Sequence, residues 1–304
     1  MNKKALHHRK VRTFIRLFYL FSLCLFTACT QKEGSETART GRMTFAVDRQ
    51  LKEISVTQIE LFNRYYPDAE ITLMPVSSAG TLKNLLNHQA RAALISGELT
   101  VAEDSLFTAL QPPLRREPVA REAIACITNR SNPLETLSIA ELKTIFTGNV
   151  TGTDTTGFIP LMSADDFRLH SLFAAKIGIH TKNLHAHICS SEAELFKRVA
   201  TDKKAVAVLF RSSLNSQPIP AIPLNDIKII PVSIDRQGSK SYMPTQQNIF
   251  EGLYPLVTTV YYVYYSGDAL AAGFGSWLGT SGRKVFETSS LAPFRSLERT
   301  IIMK

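Results

Sequence analysis

From Met43 onward the chain alternates between two kinds of apolar block. MTFAV, AEITLMPV and AALISG are short runs that read as strands, whereas LKEISVTQIELFNRYYP sets Leu51, Ile54, Ile59, Leu61 and Phe62 near one face of a helix. TLKNLLNHQA and VAEDSLFTAL continue the helical spacing between and after those strands. The second half repeats the pattern: GFIPLM, HAHICS and AVAVLF are strand-like, and SADDFRLHSLFAAKIG and SEAELFKRVA are helical. DIKIIPVSI and the long YPLVTTVYYVYY add strands, and ALAAGFGSWLG with GRKVFETSS supplies closing helices. Strand–helix alternation of this kind predicts an α/β fold with a mixed, mainly parallel arrangement. About ten strands divide more naturally into two sheets than into one.

One stretch breaks the rhythm. In REAIACITNRSNPLETLSIAELKTIFTG an apolar strand over 122–128 stops at NRSNP, and a helix follows at once. Ser138 with Glu141 three residues later forms a capping-box pattern, and Gly148 is a helix stop. The stretch fits a chain crossing between two lobes, and equally a strand-turn-helix inside one domain.

Charge and the N-terminus narrow the class. The 304 residues are 44% apolar with a formal charge of +9, but Lys3, Lys4, Arg9, Lys10, Arg12 and Arg16 crowd the acid-free first 28 positions. Without those six, 29 basic residues face 26 acidic ones, which is no nucleic-acid footprint. LFYLFSLCLFTA behind that basic start is too short for a membrane span of roughly 20 residues and fits an export signal. FTAC resembles a bacterial lipoprotein signal, in which Cys29 would be lipidated; simple cleavage or an uncleaved anchor are the alternatives. Phe26 stands where leucine is usual, and Thr30 resembles the residue of an outer-membrane rather than an inner-membrane lipoprotein. TQKEGSETARTG would be a polar tether. Of the remaining cysteines, Cys126 and Cys189 sit in apolar strand-like runs and read as small buried hydrophobes, with a disulfide between them the alternative in an exported protein.

The 121–148 stretch resembles the PstS-like phosphate-binding family, the solute-binding proteins of ABC importers. There too a strand runs into Asn-Pro and then a short helix ending Phe-x-Gly. DKKAVAVLF, GLYPLVTTVYYVYY and SGRKVFETSSLAPF resemble further family segments in the right order, so the likeness covers about 42–304. It implies a two-lobe periplasmic-binding-protein-like fold (type II) whose sheets are joined by two crossing strands. Its parts would be a signal peptide at 1–28, a tether at 29–41, lobe I at 42–123 plus 236–304, and lobe II at 124–235. It further implies a small-molecule or inorganic anion in the cleft, an ABC permease as partner, no cofactor, a monomer, and a binding protein rather than an enzyme. The membrane would be reached through the lipid anchor. A lipoprotein sensor or envelope scaffold that kept the fold and lost phosphate binding is the alternative.

The candidate site residues lie at strand-to-helix corners, where helix N-termini present N–H groups to anions. Ser77, Ser78, Gly80 and Thr81 form one corner, which also reads as a plain helix cap. Ser163, Asp165 and Asp166 form another, where phosphate binders carry Arg-x-x-Ser-Gly-Thr; this chain lacks the Ser-Gly-Thr, and two carboxylates at a helix start also suit the dipole. Asp48 and Arg49 follow the first strand, Arg49 as a bidentate anion partner or a surface ion pair. Ser96, with Gly97 and Glu98, follows the third strand, and Arg121 and Thr147 are weaker candidates. His185 and His187 share a strand face near His170 or His180 without a metal-site spacing. Tyr261, Tyr262, Tyr264 and Tyr265 suit strand packing. No HExxH, GxSxG, CxxC or P-loop pattern occurs.

Overall fold

A computed structural model describes residues 36–148, 157–215, 224–234 and 240–295. The expected signal peptide, Cys29, most of the tether and the boundary near residue 235 lie outside the described residues. Residues 37–304 form a compact unit by themselves. In chain order the first elements are β1 (Gly41–Asp48), α1 (Lys52–Tyr65), β2 (Ala69–Val76), α2 (Ser78–Leu86), β3 (Ala92–Ser96), α3 (Val101–Ala109) and the 16-residue β4 (Leu114–Asn129). Next come β5 (Leu137–Ser138), α4 (Ile139–Thr147), β6 (Ile159–Ser163), α5 (Phe167–Lys176), β7 (His187–Cys189), α6 (Glu192–Thr201) and β8 (Ala205–Phe210). The chain closes with β9 (Ile227–Ile230), β10 (Val232–Ser233), α7 (Gln246–Phe250), β11 (Val257–Tyr265), α8 (Ala269–Gly279), α9 (Arg283–Glu287) and β12 (Ala292–Pro293).

Two strand groups meet on β4. The first runs β2-β1-β3-β11-β4, with β1 parallel to β2 and β3 and with β11 antiparallel to both β3 and β4. The second runs β4-β8-β6-β7, with β9 also on β4. Strand number alone predicts two separate sheets. The hydrogen bonding instead runs unbroken, because β4 pairs with β11 through Leu114–Ala123 and with β8 and β9 through Ile124–Asn129.

Each group has its own cores. Phe45, Phe62, Tyr262, Phe274 and Trp277 fill one face of the first, and Leu82, Leu85, Phe107 and Tyr265 the other. Phe45–Phe274 and Phe62–Phe274 meet edge-on at 5.3 and 5.2 Å, pairs worth about 1 kcal/mol each beyond burial. The second group buries Phe146, Met162, Phe173 and Phe210 on one face and Leu161, Leu195 and Phe196 on the other. Helices on both faces make the near-continuous apolar runs of β3 and β8 intelligible. Tyr254 and Leu256 belong to the second core and Val260 and Tyr262 to the first, so the chain crosses a second time beside β4. There Ile124 N–H donates to the Leu256 carbonyl at 2.9 Å, and the Tyr254 hydroxyl to the Ile124 carbonyl at 2.8 Å.

The NRSNP corner stops β4 for a definite reason. The Asn129 side-chain oxygen accepts from Ser131 N–H at 2.9 Å, while its amide donates to the carbonyls of Val199 and Ala200. Asn132 repeats the device, accepting from Leu134 N–H at 2.8 Å and donating to the Lys203 carbonyl at 2.6 Å. Two buried amides therefore turn the chain and tie it to the end of α6. The Ser138–Glu141 capping box forms, and Gly148 ends α4 in the left-handed region at φ 60°.

Candidate functional site

The strand-to-helix corners converge between the two strand groups. Asp48 ends β1 fully buried, and its Oδ2 accepts from Ser96 N–H at 2.7 Å. Among the described residues its Oδ1 has no hydrogen-bond partner. Burial pushes the Asp48 carboxyl up to about 6, against the pull of Arg168, the Ser96 N–H and Thr81. Opposite, the 3₁₀ turn Ala164–Asp166 delivers Asp166, whose Oδ1 accepts from the Ser78 hydroxyl at the start of α2 at 2.8 Å. Burial and then the nearby charge of Asp48 raise Asp166 to about 7. Glu192, opening α6, also rises to about 7 through burial and Asp166, and it accepts from the Ser213 hydroxyl at 2.7 Å.

Arg168 crosses the gap. It is 6% exposed and donates from Nε to Glu103 Oε1 at 3.0 Å and from one terminal nitrogen to the Ser96 carbonyl at 2.8 Å. Its other terminal nitrogen reaches the Glu98 carbonyl at 2.9 Å and the Gly97 carbonyl at 3.4 Å. Gly97 permits this approach. It has φ +90°, and a Cβ there would stand 2.1 Å from Leu172 of α5. The guanidinium is thus spent on the protein's own oxygens, clamping α5 onto the 96–98 corner.

A family model described as "PBP superfamily domain" matches residues 33–281. The chain belongs to the PBP superfamily. No curated protein matches it significantly. Among solved structures, a Clostridium perfringens protein described as a putative phosphate ABC transporter substrate-binding protein with bound phosphate superposes with TM-score 0.67 at 17% identity, covering 84% of this chain and 100% of its own. An ABC-type phosphate transport receptor from Vibrio cholerae gives 0.61 at 19%, covering 82% and 98%. A mutant OxyR2 regulatory domain from Vibrio vulnificus gives 0.53 at 8%, covering 82% and 98%. At these identities the likeness is one of fold.

Within this PBP-superfamily chain, the expected residues occupy different positions. Asp48, Ser78, Thr81, Ser96, Ser163 and Asp166 are buried together at the interlobe centre. Ser77 caps α2, accepting from Gly80 N–H at 3.3 Å. Asp165 turns the other way from its neighbour: its Oδ2 accepts from Glu192 N–H at 3.2 Å and lies 3.7 Å from Arg49, whose side chain is 57% exposed. Arg49 thus forms an ion pair at the rim. Glu98 accepts from the Thr258 hydroxyl at 2.7 Å. Arg121 donates to the Phe250 carbonyl at 2.8 Å and sits over the Phe250 and Phe294 rings, a packing role.

The histidines do not gather. His170 is buried and bonded to the Ser163 carbonyl at 2.9 Å, and His187 is exposed on β7. Among the described residues no group of three His, Cys, Asp or Glu is arranged to hold a metal ion. Cys126 and Cys189 are both free and buried in different cores; burial lifts the Cys126 thiol to about 12. Among the described residues no helix is long and apolar enough to cross a membrane.

Sequence reading missed Arg168, Glu103, Gln50 and Glu192. Gln50 donates to the Ser96 hydroxyl at 3.2 Å. Arg168 and Glu192 carried a faint signal, each standing within the first turn after a Ser-led strand-to-helix corner. Glu122 on β4 was also missed. It is buried, accepts from the Ser212 hydroxyl and from Ala123 N–H, and is raised to about 7 by burial.

Proposed function

We propose that this chain is an exported, lipid-anchored solute-binding protein that encloses a small solute between two lobes for ABC-type uptake. Residues 42–123 with 236–304 would form one lobe, 124–235 the other, and Cys29 would carry the lipid. The observation that carries this reading is the hydrogen bond from Ser78 to Asp166, which joins the start of a helix in one half to the corresponding corner of the other. That is where a two-lobe binding protein encloses its solute. Closure would form the surface that a membrane permease reads. The Clostridium and Vibrio neighbours, described as phosphate-transport proteins, support uptake as the role.

The chemistry at the centre favours a solute other than the phosphate dianion. Like unit charges 4 Å apart repel by about 4 kcal/mol at an effective dielectric of about 20. Asp48, Asp166 and Glu192 would each impose such a term once ionised, and Arg168 already turns four of its five N–H donors to the protein's own oxygens. Isothermal calorimetry with phosphate at pH 7.5 tests this. No binding heat is expected; micromolar binding would overturn the ligand assignment and leave the uptake role standing.

A sensor or envelope scaffold is the second reading. The internal Arg168 clamp favours it, because closure then needs no solute. Permease and ATPase genes beside this one would count against it, and signalling neighbours would support it.

A further inference from the structure

The interlobe centre carries a charge imbalance that sets the sign of its occupant. Among the described residues, the acidic side chains acting on one another there are Asp48, Asp165, Asp166, Glu192 and Glu103, and the basic ones are Arg168 and Arg49. Five acids against two bases leave a net charge of −3 when all are ionised. Each arginine already faces a carboxylate, Arg168 that of Glu103 at 3.0 Å and Arg49 that of Asp165 at 3.7 Å. Asp48 is fully buried; its Oδ2 accepts from Ser96 N–H, and its Oδ1 has no hydrogen-bond partner among the described residues. A buried carboxylate oxygen without a donor is costly, and an occupant that brings positive charge and N–H groups removes that cost. Among the described residues no three His, Cys, Asp or Glu are arranged for a metal ion, whereas a primary ammonium offers three donors, no acceptor and the required sign. We propose that the interlobe centre takes a small, polar solute carrying one or two primary ammonium groups and no acidic group.

This rests on the solute-binding reading above and names the chemical class of the solute. An ammonium at Asp48 Oδ1 would supply the missing donor, and Asp166 would attract it from the other half, where the Ser78 hydroxyl already joins the two at 2.8 Å. Hydroxyls make up the polar surroundings: Ser213 donates to Glu192 at 2.7 Å, and Thr81, Ser96 and Ser163 are buried. They can orient a polar body, but they cannot offset the carboxylate charge. In the empty closed chain protons do so instead, since burial raises Asp48 to about 6 and Asp166 and Glu192 to about 7. A bound ammonium would send those protons to solvent, so binding tightens as pH rises.

The test is calorimetry on the full chain in one detergent at pH 8, with 1,4-diaminobutane, 4-aminobutan-1-ol and butane-1,4-diol as probes of equal length and falling charge. The diamine should bind at least tenfold more tightly than the amino alcohol, and the diol should not bind. Lowering the pH to 5, where both amines stay charged, should weaken the diamine at least tenfold. Asp48→Asn and Asp166→Asn should each do the same at pH 8, while the melting temperature at pH 5, where both carboxyls already hold protons, stays close to that of the unmodified chain. No heat from millimolar diamine would overturn the proposal. So would a diol that binds as well as the diamine, or a diamine affinity indifferent to pH and to both substitutions. A thermal-shift screen with neutral sugars separates the two readings: a sugar that raises the melting temperature while the amines do not removes the cation and leaves solute binding standing.

Discussion

The NRSNP corner and the interlobe centre both bury polar side chains, and they treat them in opposite ways. At the corner, Asn129 and Asn132 are 6% and 2% exposed, and each side chain both donates and accepts. At the centre, Asp48 keeps one oxygen unpartnered among the described residues, and Asp48, Asp166 and Glu192 are all raised in pKa by burial. A satisfied buried polar group holds a fold in place; an unsatisfied ionisable one costs stability and persists where function uses it. The corner belongs to architecture, and the centre is where binding is proposed.

The largest effect that would break this contrast is at the clamp. Arg168→Ala strands Glu103 and the carbonyls of residues 96–98, and it should destabilise the closed chain by about 3–5 kcal/mol, read as a fall in melting temperature. A loss under about 1 kcal/mol would mean the clamp is incidental. At the corner, Asn129→Ala leaves the Val199 and Ala200 carbonyls without their donor and should cost about 2–3 kcal/mol in denaturant unfolding. Unlike the clamp substitution, it should leave the separation of the halves unchanged.

Protonation sharpens the comparison. Asp48, Asp166 and Glu192 move from ordinary values of 3.8, 3.8 and 4.5 to about 6, 7 and 7 in the closed chain. The closed form therefore holds protons that the unfolded chain releases, and the stability tied to them is complete below about pH 4 and lost as pH rises through about 6 to 7. Between pH 5 and pH 8 the melting temperature should fall, and Asp48→Asn with Asp166→Asn should flatten that slope. A slope unchanged by both substitutions would remove the carboxylates from the account. The smallest effect is at the rim. Arg49→Ala should change stability by less than about 0.5 kcal/mol, since its partner lies 3.7 Å away in water.

What the sequence made legible was local. AEITLMPV is β2 at its full length, and the SIAEL capping box and Gly148 bound α4 because each acts within a few residues. The corners that the likeness to phosphate binders singled out do meet, Ser78 with Asp166 and Asp48 with Ser96. β4 was harder: LRREPVARE is charged and contains Pro118, yet it is strand, because Pro118 sits opposite Tyr261 where the register slips by a bulge. Site geometry was not legible. Asp165 and Asp166 are adjacent, and only the 3₁₀ turn decides that one faces Arg49 at the rim and the other Ser78 at the centre. Arg168 meets Ser96 across 72 residues of chain, a pairing no local pattern encodes.

The most direct test is a distance across the gap. Spin labels at Glu60→Cys on α1 and Lys197→Cys on α6, both exposed positions, report the separation of the halves in solute-free protein. One short, narrow distance in the otherwise unmodified chain and a longer, broader one with Arg168→Ala is the predicted result. Identical distributions in the two would contradict the claim that this arginine holds the cleft closed.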